Sequence, residues 1–227
     1  MDEPLRVLVV AAHPDDAEFG AGGTVARWTA EGRHVSYLVV TSGDKGSHDL
    51  QVDPVELAAR REREQCEAAR RLGVTDVHFL RWLDGEVEAS MRLREQLCLT
   101  IRKLRPGLVV THDPWRLYQL HPDHRATGMG TVDAVIAARD HLFFRDQLGA
   151  GLAHHRVREL YLFTTDHPNT WVDIAASFER KVAAVAAHVS QIRQPDDLAS
   201  RMRERAQRIG EAAGLALAEE FKRIELS

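Results

Sequence analysis

Cysteine, aromatic residues and long apolar runs are all scarce in this sequence of 227 residues. Its two cysteines form no CxxC pair, and we interpret Cys66 and Cys98 as reduced thiols buried in the helices of a cytoplasmic protein. No run of about 18 apolar residues occurs, so we expect no membrane-spanning helix. We also expect no signal peptide, because the chain enters its first predicted strand within a few residues.

An excess of basic charge is lacking as well. The formal net charge is -4 and the isoelectric point is about 6.3, which excludes the electrostatic footprint of a nucleic-acid-binding protein. With 44% hydrophobic and 28% charged residues, the composition is that of a globular protein. The length predicts a single domain over residues 1–227, with a C-terminal helical extension at about 195–227.

Short apolar runs alternate with helical patterns along the chain. We predict strands at about 7–12, 34–41, 76–83, 108–111 and 159–165, and a short segment of alternating apolar and polar residues follows at 171–174. We predict helices at about 20–31, 54–72, 91–104, 125–144, 178–189 and 198–221. This alternation predicts an α/β fold, a Rossmann-like, doubly wound, mainly parallel sheet flanked by helices. Gly20, Gly22 and Gly23 lack the GxGxxG spacing of a dinucleotide site, so we assign them to close helix packing.

Histidine, in contrast, is abundant, with twelve residues. The stretch His13-Pro14-Asp15-Asp16 follows a buried apolar strand, at the carboxyl end where open α/β sheets bind ligands. Carboxylates this close repel one another, and a cation would hold them together. A single Asp would be enough to cap the following helix. An imidazole with two carboxylates favours a metal site instead, because these are ordinary zinc ligands.

A second polar stretch follows the fourth predicted strand, with His112-Asp113-Pro114-Trp115 and then His121-Pro122-Asp123-His124. The alternative interpretation is a plain helix cap formed by Asp123. In the commonest doubly wound order, the first and fourth strands are neighbours, and the ligand crevice lies between the loops that follow them. Topology alone therefore brings both polar stretches to one pocket. Two imidazoles and a carboxylate with one open coordination position are typical of a catalytic zinc.

The two polar stretches resemble the motifs of a known family, the LmbE-like or PIG-L zinc-dependent de-N-acetylases. The stretch Ala12-His13-Pro14-Asp15-Asp16 is similar to the family's first motif, and His121-Pro122-Asp123-His124 is similar to its second. Weaker matches follow in the expected order: Thr41-Ser42-Gly43, Arg61 with Glu64 before Leu72-Gly73, and Asp173, Lys181, His188 and Gln191. The resemblance covers about residues 5–192 and departs at Ala17, where many members have Glu.

The resemblance implies a role for each polar residue. It implies one Zn²⁺ per chain, bound by His13, Asp16 and His124. Asp15 would be the general base, and His121 would face the carbonyl oxygen with Asp123 behind it to orient the ring. We expect the substrate to contact Arg61, Ser42, Trp115, Tyr118 and His188. We expect the two aromatic residues and the loop that begins at Ser42 to contact the substrate because the predicted topology places them around the pocket.

These residues predict an enzyme, a metal-dependent amidohydrolase. Zinc lowers the pKa of its bound water to about 7 and polarises a carbonyl, and amide hydrolysis needs both effects. We expect it to remove the N-acetyl group from an N-acetylglucosamine-type sugar conjugate. The alternatives are a thiol-conjugate amidase of the same family, a metal-dependent phosphoesterase, and a non-catalytic sugar- or metal-binding protein. The expected partner is a small-molecule amino sugar, with no nucleic acid and no membrane, and with a homo-oligomer as an option.

Overall fold

The computed structural model describes residues 5–192, 194 and 196–226, and within them seven strands form one sheet. The strands are β1 (Arg6–Ala11), β2 (His34–Thr41), β3 (Asp76–Trp82), β4 (Leu108–His112), β5 (Glu159–Phe163), β6 (Thr170–Asp173) and β7 (Ala218–Glu225). Their order across the sheet is β3-β2-β1-β4-β5-β7-β6. The first five strands run parallel, whereas β7 is antiparallel to both β5 and β6.

Helices cover both faces of this sheet. They are α1 (Asp16–Ala30), α2 (Pro54–Arg71), α3 (Met91–Leu104), α4 (Pro122–Arg139), α5 (Arg145–Gly149), α6 (Phe178–Val185) and α7 (Leu198–Glu211). Helices α1, α2 and α6 contribute to the apolar core on one face, and α3 and α4 contribute to the core on the other. The central strands are buried on both faces, which explains their unbroken apolar runs. The predicted doubly wound, mainly parallel α/β fold is confirmed.

The glycines near the start of α1 allow a close approach to the rest of the fold. A Cβ atom on Gly20 would lie 2.6 Å from the ring of Phe163, and one on Gly23 would lie 2.8 Å from the side chain of Ile174. Side chains at these two positions would force their neighbours apart. The glycine cluster therefore serves helix packing, as its spacing predicts.

The C-terminal part of the chain differs from the prediction. The helix predicted at 198–221 ends at Glu211, and Ala218–Glu225 form β7, so a helical extension over 195–227 is wrong in its second half. The physical reason is tertiary: β7 fits between β5 and β6, where Ala218 and Phe221 are fully buried. Residues 193, 195 and 227 of this prediction lie outside the described residues. The single domain stays a prediction.

The structure also tests three smaller predictions. The helix predicted at 125–144 ends at Arg139, where the buried guanidinium of Arg102 donates to the carbonyls of Ala137 and Asp140. Cys98 is buried as predicted, but Cys66 is exposed on α2. In the described part of the chain, no helix combines the length and the apolar character needed to cross a membrane.

Candidate active site and metal centre

The loops that follow β1, β3 and β4 meet at one edge of the sheet. His13 lies two residues beyond β1, Asp84 lies two residues beyond β3, and His112 is the last residue of β4. The backbone N–H of Ala12 donates to Nε2 of His112 at 3.2 Å, which ties the first and third of these loops together. The result is a group of seven side chains with metal-ligand atoms, here called the polar cluster: His13, Asp16, Asp84, His112, His121, Asp123 and His124.

Three members of the polar cluster are the residues predicted to bind metal. Nδ1 of His13 lies 3.2 Å from Nε2 of His124 and 3.3 Å from Oδ2 of Asp16. Nε2 of His124 lies 3.2 Å from Oδ1 of Asp16. Ligands at about 2.0–2.1 Å from a tetrahedral zinc are about 3.3–3.4 Å from one another. The two ring nitrogens and the two carboxylate oxygens of Asp16 therefore lie at spacings that suit one ion of this size, and the ligand assignment itself stays a prediction.

The other ring nitrogen of His13 faces two further carboxylates. Nε2 lies 3.0 Å from Oδ2 of Asp123 and 3.2 Å from Oδ1 of Asp84. Burial lowers the pKa of His13, but the hydrogen bonds with Asp123, Asp16 and Asp84 raise this pKa to about 12. Metal-ligating histidines usually donate through their second nitrogen to such a carboxylate. The carboxylates around His13 are thus arranged as they are around a metal-binding histidine, and their negative charge attracts a cation.

The carboxylate of Asp123 has a different partner from the predicted one. It contacts His13 and accepts hydrogen bonds from the backbone N–H groups of Gly85 at 2.7 Å and Val87 at 3.1 Å. Toward His121 it is the backbone N–H of Asp123 that donates, to Nδ1 at 3.3 Å. The prediction that this carboxylate orients the His121 ring is corrected, because the first turn of α4 directs it toward His13 instead.

Two members of the polar cluster, His112 and Asp84, are absent from the predicted site. Nε2 of His112 lies 3.3 Å from Oδ2 of Asp16, and the His112 ring stacks on His124 with centroids 4.2 Å apart. Burial opposes ionisation of Asp16, but the imidazoles of His112, His124 and His13 hold its pKa well below the usual range. Position at the carboxyl end of a strand is the signal that could have identified both residues. The pair Asp84-Gly85 otherwise has the pattern of a simple turn.

Asp15 directly precedes Asp16 and has an unusual backbone conformation, with φ 103° and ψ -28°. Its N–H donates to Oε1 of Gln65 at 3.0 Å, and its Oδ2 lies 3.5 Å from Nη2 of Arg61. Burial and the charge of Asp16 raise the pKa of Asp15 to about 7, while Arg61 pulls this pKa down. A carboxylate with such a pKa can accept and release a proton near neutral pH.

His121 is the N-cap residue of α4, and its side chain is not buried. Its ring centroid lies 4.5 Å from that of His13 and 4.7 Å from that of His124. Partial burial and the charges of His13 and His124 lower the pKa of His121, which favours the neutral ring. Because Nδ1 accepts from the N–H of Asp123, the proton of the neutral ring is on Nε2, which can act as a donor.

Three of the predicted substrate residues are buried and have partners inside the protein. Arg61 donates to the carbonyl oxygens of Gly43 and Pro14. The hydroxyl of Ser42 donates to Glu62 at 2.5 Å. His188 has no exposed surface, and its Nε2 lies 3.3 Å from Oε2 of Glu18. The prediction of a substrate contact is therefore corrected for His188, since its burial in this pair keeps it from a ligand.

The two aromatic substrate residues are exposed. Trp115 is 57% exposed and Tyr118 is 83% exposed, and both lie on the loop between β4 and α4 that ends at His121. Their place on this loop agrees with a wall beside the polar cluster. Contact with a sugar ring stays a prediction for both, as it does for Arg61 and Ser42.

A doubly wound sheet with imidazoles and carboxylates gathered at its switch point, and a further carboxyl group of raised pKa beside them, has the form of a metal-dependent hydrolase. The model of one protein family, PIG-L, described as GlcNAc-PI de-N-acetylase, matches residues 8–135, more than half of the chain. The chain belongs to this family, and the family predicted from its motifs is confirmed. The family is metal-dependent, and the polar cluster offers groups that could bind the ion.

Relatives of the chain are deacetylases of amino sugars. It is 40% identical over 193 residues to the diacetylchitobiose deacetylase of Thermococcus kodakarensis, covering 85% of this chain and 72% of that one. It is 30% identical over 233 residues to the 1D-myo-inositol 2-acetamido-2-deoxy-alpha-D-glucopyranoside deacetylase of Mycobacteroides abscessus, covering 85% and 83%. The solved N,N'-diacetylchitobiose deacetylase from Pyrococcus horikoshii matches with a TM-score of 0.92 and 34% identity, covering 98% of this chain and 85% of that one. The predicted class, deacetylases of N-acetylglucosamine-type sugars, is confirmed.

Proposed function

We propose that the protein uses one bound Zn²⁺ to remove the acetyl group from an N-acetylglucosamine-type sugar conjugate. The observation that carries the proposal is the ligand triangle formed by His13, Asp16 and His124: the two ring nitrogens lie 3.2 Å apart, and each lies 3.2–3.3 Å from one carboxylate oxygen of Asp16. Two imidazoles and one carboxylate suit zinc among the divalent ions, and three protein ligands leave a coordination position open. The adjacent Asp15 supplies a base that metal storage alone would not need.

Amide hydrolysis needs an activated water and a protonated leaving group. Bound zinc would lower the pKa of water to about 7 and polarise the acetyl carbonyl. Asp15 accepts the proton of the water as the new C–O bond forms. It then donates this proton to the sugar nitrogen as the C–N bond breaks, so that acetate and a free amine leave. Burial and the charge of Asp16 raise the pKa of Asp15 and a bound dication would lower it, so that the carboxylate can both accept and release a proton.

The negative charge that develops on the carbonyl oxygen is stabilised by His121. The neutral ring carries its proton on Nε2, because Nδ1 already accepts from the backbone N–H of Asp123. A donor aimed at a developing oxyanion accelerates acyl transfer substantially. Asp123 and Asp84 support the reaction indirectly, since they fix the His13 ring with Nδ1 toward the ligand triangle.

The rival functions differ in what the polar cluster would hold. A phosphoesterase commonly clamps its substrate between two metal ions about 3.5–4 Å apart. The described residues contain three possible ligand groups that share members, and the proposal assigns one ion to them, so the acetate and phosphate assays below separate the two functions. A non-catalytic binding protein has no use for a base beside its ligands. A thiol-conjugate amidase would hydrolyse an amide in the same way and differ only in its substrate.

The proposal includes a setting for the enzyme. We propose a cytoplasmic protein that assembles as a homo-oligomer and acts on a small-molecule amino sugar. Both cysteines of the chain are free, in keeping with a reducing compartment. Light scattering of the purified protein measures the oligomeric state, and cell fractionation measures the compartment.

The test is release of acetate from N-acetylglucosamine and N,N'-diacetylchitobiose by the zinc-loaded protein. We expect acetate release that a chelator abolishes and added zinc restores, with no phosphate release from p-nitrophenyl phosphate. Phosphate release without acetate release would contradict the proposal.

A metal analysis tests the ligand set. We expect His124→Ala to lose its metal, whereas the control His141→Ala, with a side chain that is 73% exposed, should retain it. Unchanged metal content in His124→Ala would remove His124 from the ligand set.

A further inference from the structure

Helix α2 holds the loop that carries Asp15 by two hydrogen bonds. Gln65 accepts from the N–H of Asp15 at 3.0 Å, and Arg61 donates to the carbonyl oxygen of Pro14 at 2.7 Å. Arg61 and Gln65 are four residues apart on α2, so they lie on one face of the helix. The peptide group between Pro14 and Asp15 is thus held at both its oxygen and its nitrogen.

This support matters because the Asp15 backbone lies in the left-handed region, with φ 103°. That conformation is unfavourable for a residue with a side chain, and it persists only where the surroundings impose it. The side chain of Asp15 does not cap α1, so the backbone contact fixes the conformation without engaging the carboxylate. The direction of that carboxylate follows from the backbone conformation and from Arg61, whose Nη2 lies 3.5 Å from Oδ2 of Asp15.

The orientation of the Gln65 amide is itself fixed by a buried carboxylate. Nε2 of Gln65 donates to Oε1 of Glu18 at 2.8 Å, and Oε2 of Glu18 lies 3.3 Å from Nε2 of His188. Gln65, Glu18 and His188 are all fully buried. A backbone N–H only donates, so the amide oxygen of Gln65 must face Asp15, and the amide nitrogen then faces the carboxyl group of Glu18.

We propose that Gln65 is a positioning residue for Asp15, with its amide orientation set by Glu18 and His188. The proposal rests on the proposed function, in which Asp15 is the general base. It gives Glu18, Gln65 and His188 one shared task, which is to hold the backbone of Asp15 so that its carboxylate faces the reacting groups. Gln65 itself touches neither substrate nor metal.

Amide-resolved hydrogen exchange tests the hold on Asp15 without any substrate. We expect exchange of the Asp15 N–H to rise at least tenfold in Gln65→Met, which keeps the length of the side chain and removes its acceptor. Gln147→Met is the matched control, because the buried amide of Gln147 also makes two hydrogen bonds, with Arg102 and the carbonyl of Glu95. Unchanged exchange in folded Gln65→Met would overturn the proposal. If that variant does not fold, Glu18→Gln replaces it, because the amide can then turn over.

A double-mutant cycle tests whether Gln65 acts through Asp15. We expect Gln65→Met to lower kcat about 10- to 100-fold with KM and metal content nearly unchanged. In the Asp15→Asn background the same substitution should cost less than threefold, because no base remains to be misplaced. If Gln65→Met lowers kcat by the same factor with Asp15 and with Asn at position 15, the proposal is overturned. The control Gln147→Met should change kcat by the same factor in both backgrounds. If the proposed function is wrong, the wild-type protein will lack deacetylase activity. The hydrogen-exchange experiment would still show whether Gln65 holds the backbone of Asp15.

Discussion

Charged side chains are buried in several parts of the protein, and two of these regions are built differently. In the polar cluster, the carboxylates of Asp16, Asp84 and Asp123 surround the single ring of His13. Beneath α1, Lys181 and Glu219 form a buried ion pair. Glu219 also accepts the N–H groups of Gly23 at 2.9 Å and Thr24 at 2.7 Å, and Lys181 donates to the carbonyl of Phe19 at 2.9 Å.

The two regions differ in whether the protein's own side chains balance the buried charge. The Lys181–Glu219 pair contains one positive and one negative group, and its hydrogen bonds go to the backbone of α1. Such a pair fixes local structure. The polar cluster gathers several carboxylates around imidazoles and draws positive charge onto His13, whose pKa rises to about 12. A cation from solution would balance the negative charge of these buried carboxylates.

The largest effect should come from Asp15→Asn, which removes the proposed base and keeps the shape of the side chain. We expect kcat to fall by about 10²–10⁴-fold with metal content unchanged, because an amide cannot take the proton of water. The neighbouring Asp16→Asn should instead weaken metal binding, and excess zinc should restore part of its activity. Activity against added zinc measures both. Rescue of Asp15→Asn but not of Asp16→Asn would reverse the two roles.

Breaking the ion pair tests the other region. Lys181→Met should lower the free energy of unfolding by about 3–5 kcal/mol, because it leaves the charge of Glu219 buried and unpaired. Metal content and kcat of the folded protein should stay as in the wild type. Urea denaturation measures the first quantity, and metal analysis measures the second. Loss of metal in the folded variant would show that the two regions are not independent.

His121→Ala should lower kcat by about 10²–10³-fold, the usual loss for one oxyanion donor. The metal should be retained, because His121 lies outside the ligand triangle. Steady-state rates and metal analysis of the same preparation make the comparison. A variant that loses its zinc would make His121 a ligand.

Asp123→Asn should weaken metal binding by about 10- to 100-fold, since Asp123 holds the far side of His13. Glu219→Gln is the matched control from the ion pair, where no change in metal affinity is expected. Competition with a zinc chelator measures both affinities. Equal weakening in the two variants would mean that the loss reflects general destabilisation.

The smallest effect concerns pH. Burial and Asp16 raise the pKa of Asp15 from 3.8 to about 7, and a bound dication lowers it again. Protonation removes the base, so kcat/KM should fall as pH drops through a midpoint between these two values. The acidic limb should disappear in Asp15→Asn. If the acidic limb of the pH profile persists unchanged in Asp15→Asn, it reports the titration of another group.

Both motifs of the site could be predicted because their signals are local. An apolar strand followed by His13 and two Asp residues places the first motif at the ligand-binding edge of the sheet. The second motif follows β4 in the same way, and the order β2-β1-β4 joins them. The contacts within the site are not local. The bond from His13 to Asp123 spans 110 residues, and no sequence pattern specifies which ring a carboxylate will meet.

The strand β7 could not be predicted for a related reason. Its sequence, AEEFKRIE, has charges at spacings that also suit an exposed helix. It is a strand because β5 and β6 provide partners on both sides. Glu219 is buried because Lys181, 38 residues earlier, meets it there. Tertiary pairing therefore outweighs the local pattern in this segment.

The contact between Gly23 and Glu219 has a consequence for synthesis on the ribosome. It joins residues 196 positions apart, which at about 5–20 residues per second means a delay of about 10–40 s. The candidate ligands His13, Asp16 and His124 are all translated before Glu219. A nascent chain therefore displays the metal-binding motifs well before α1 gains its last backbone partners. The order of synthesis therefore favours meeting of the loops that carry the candidate ligands before the contact between α1 and Glu219 forms.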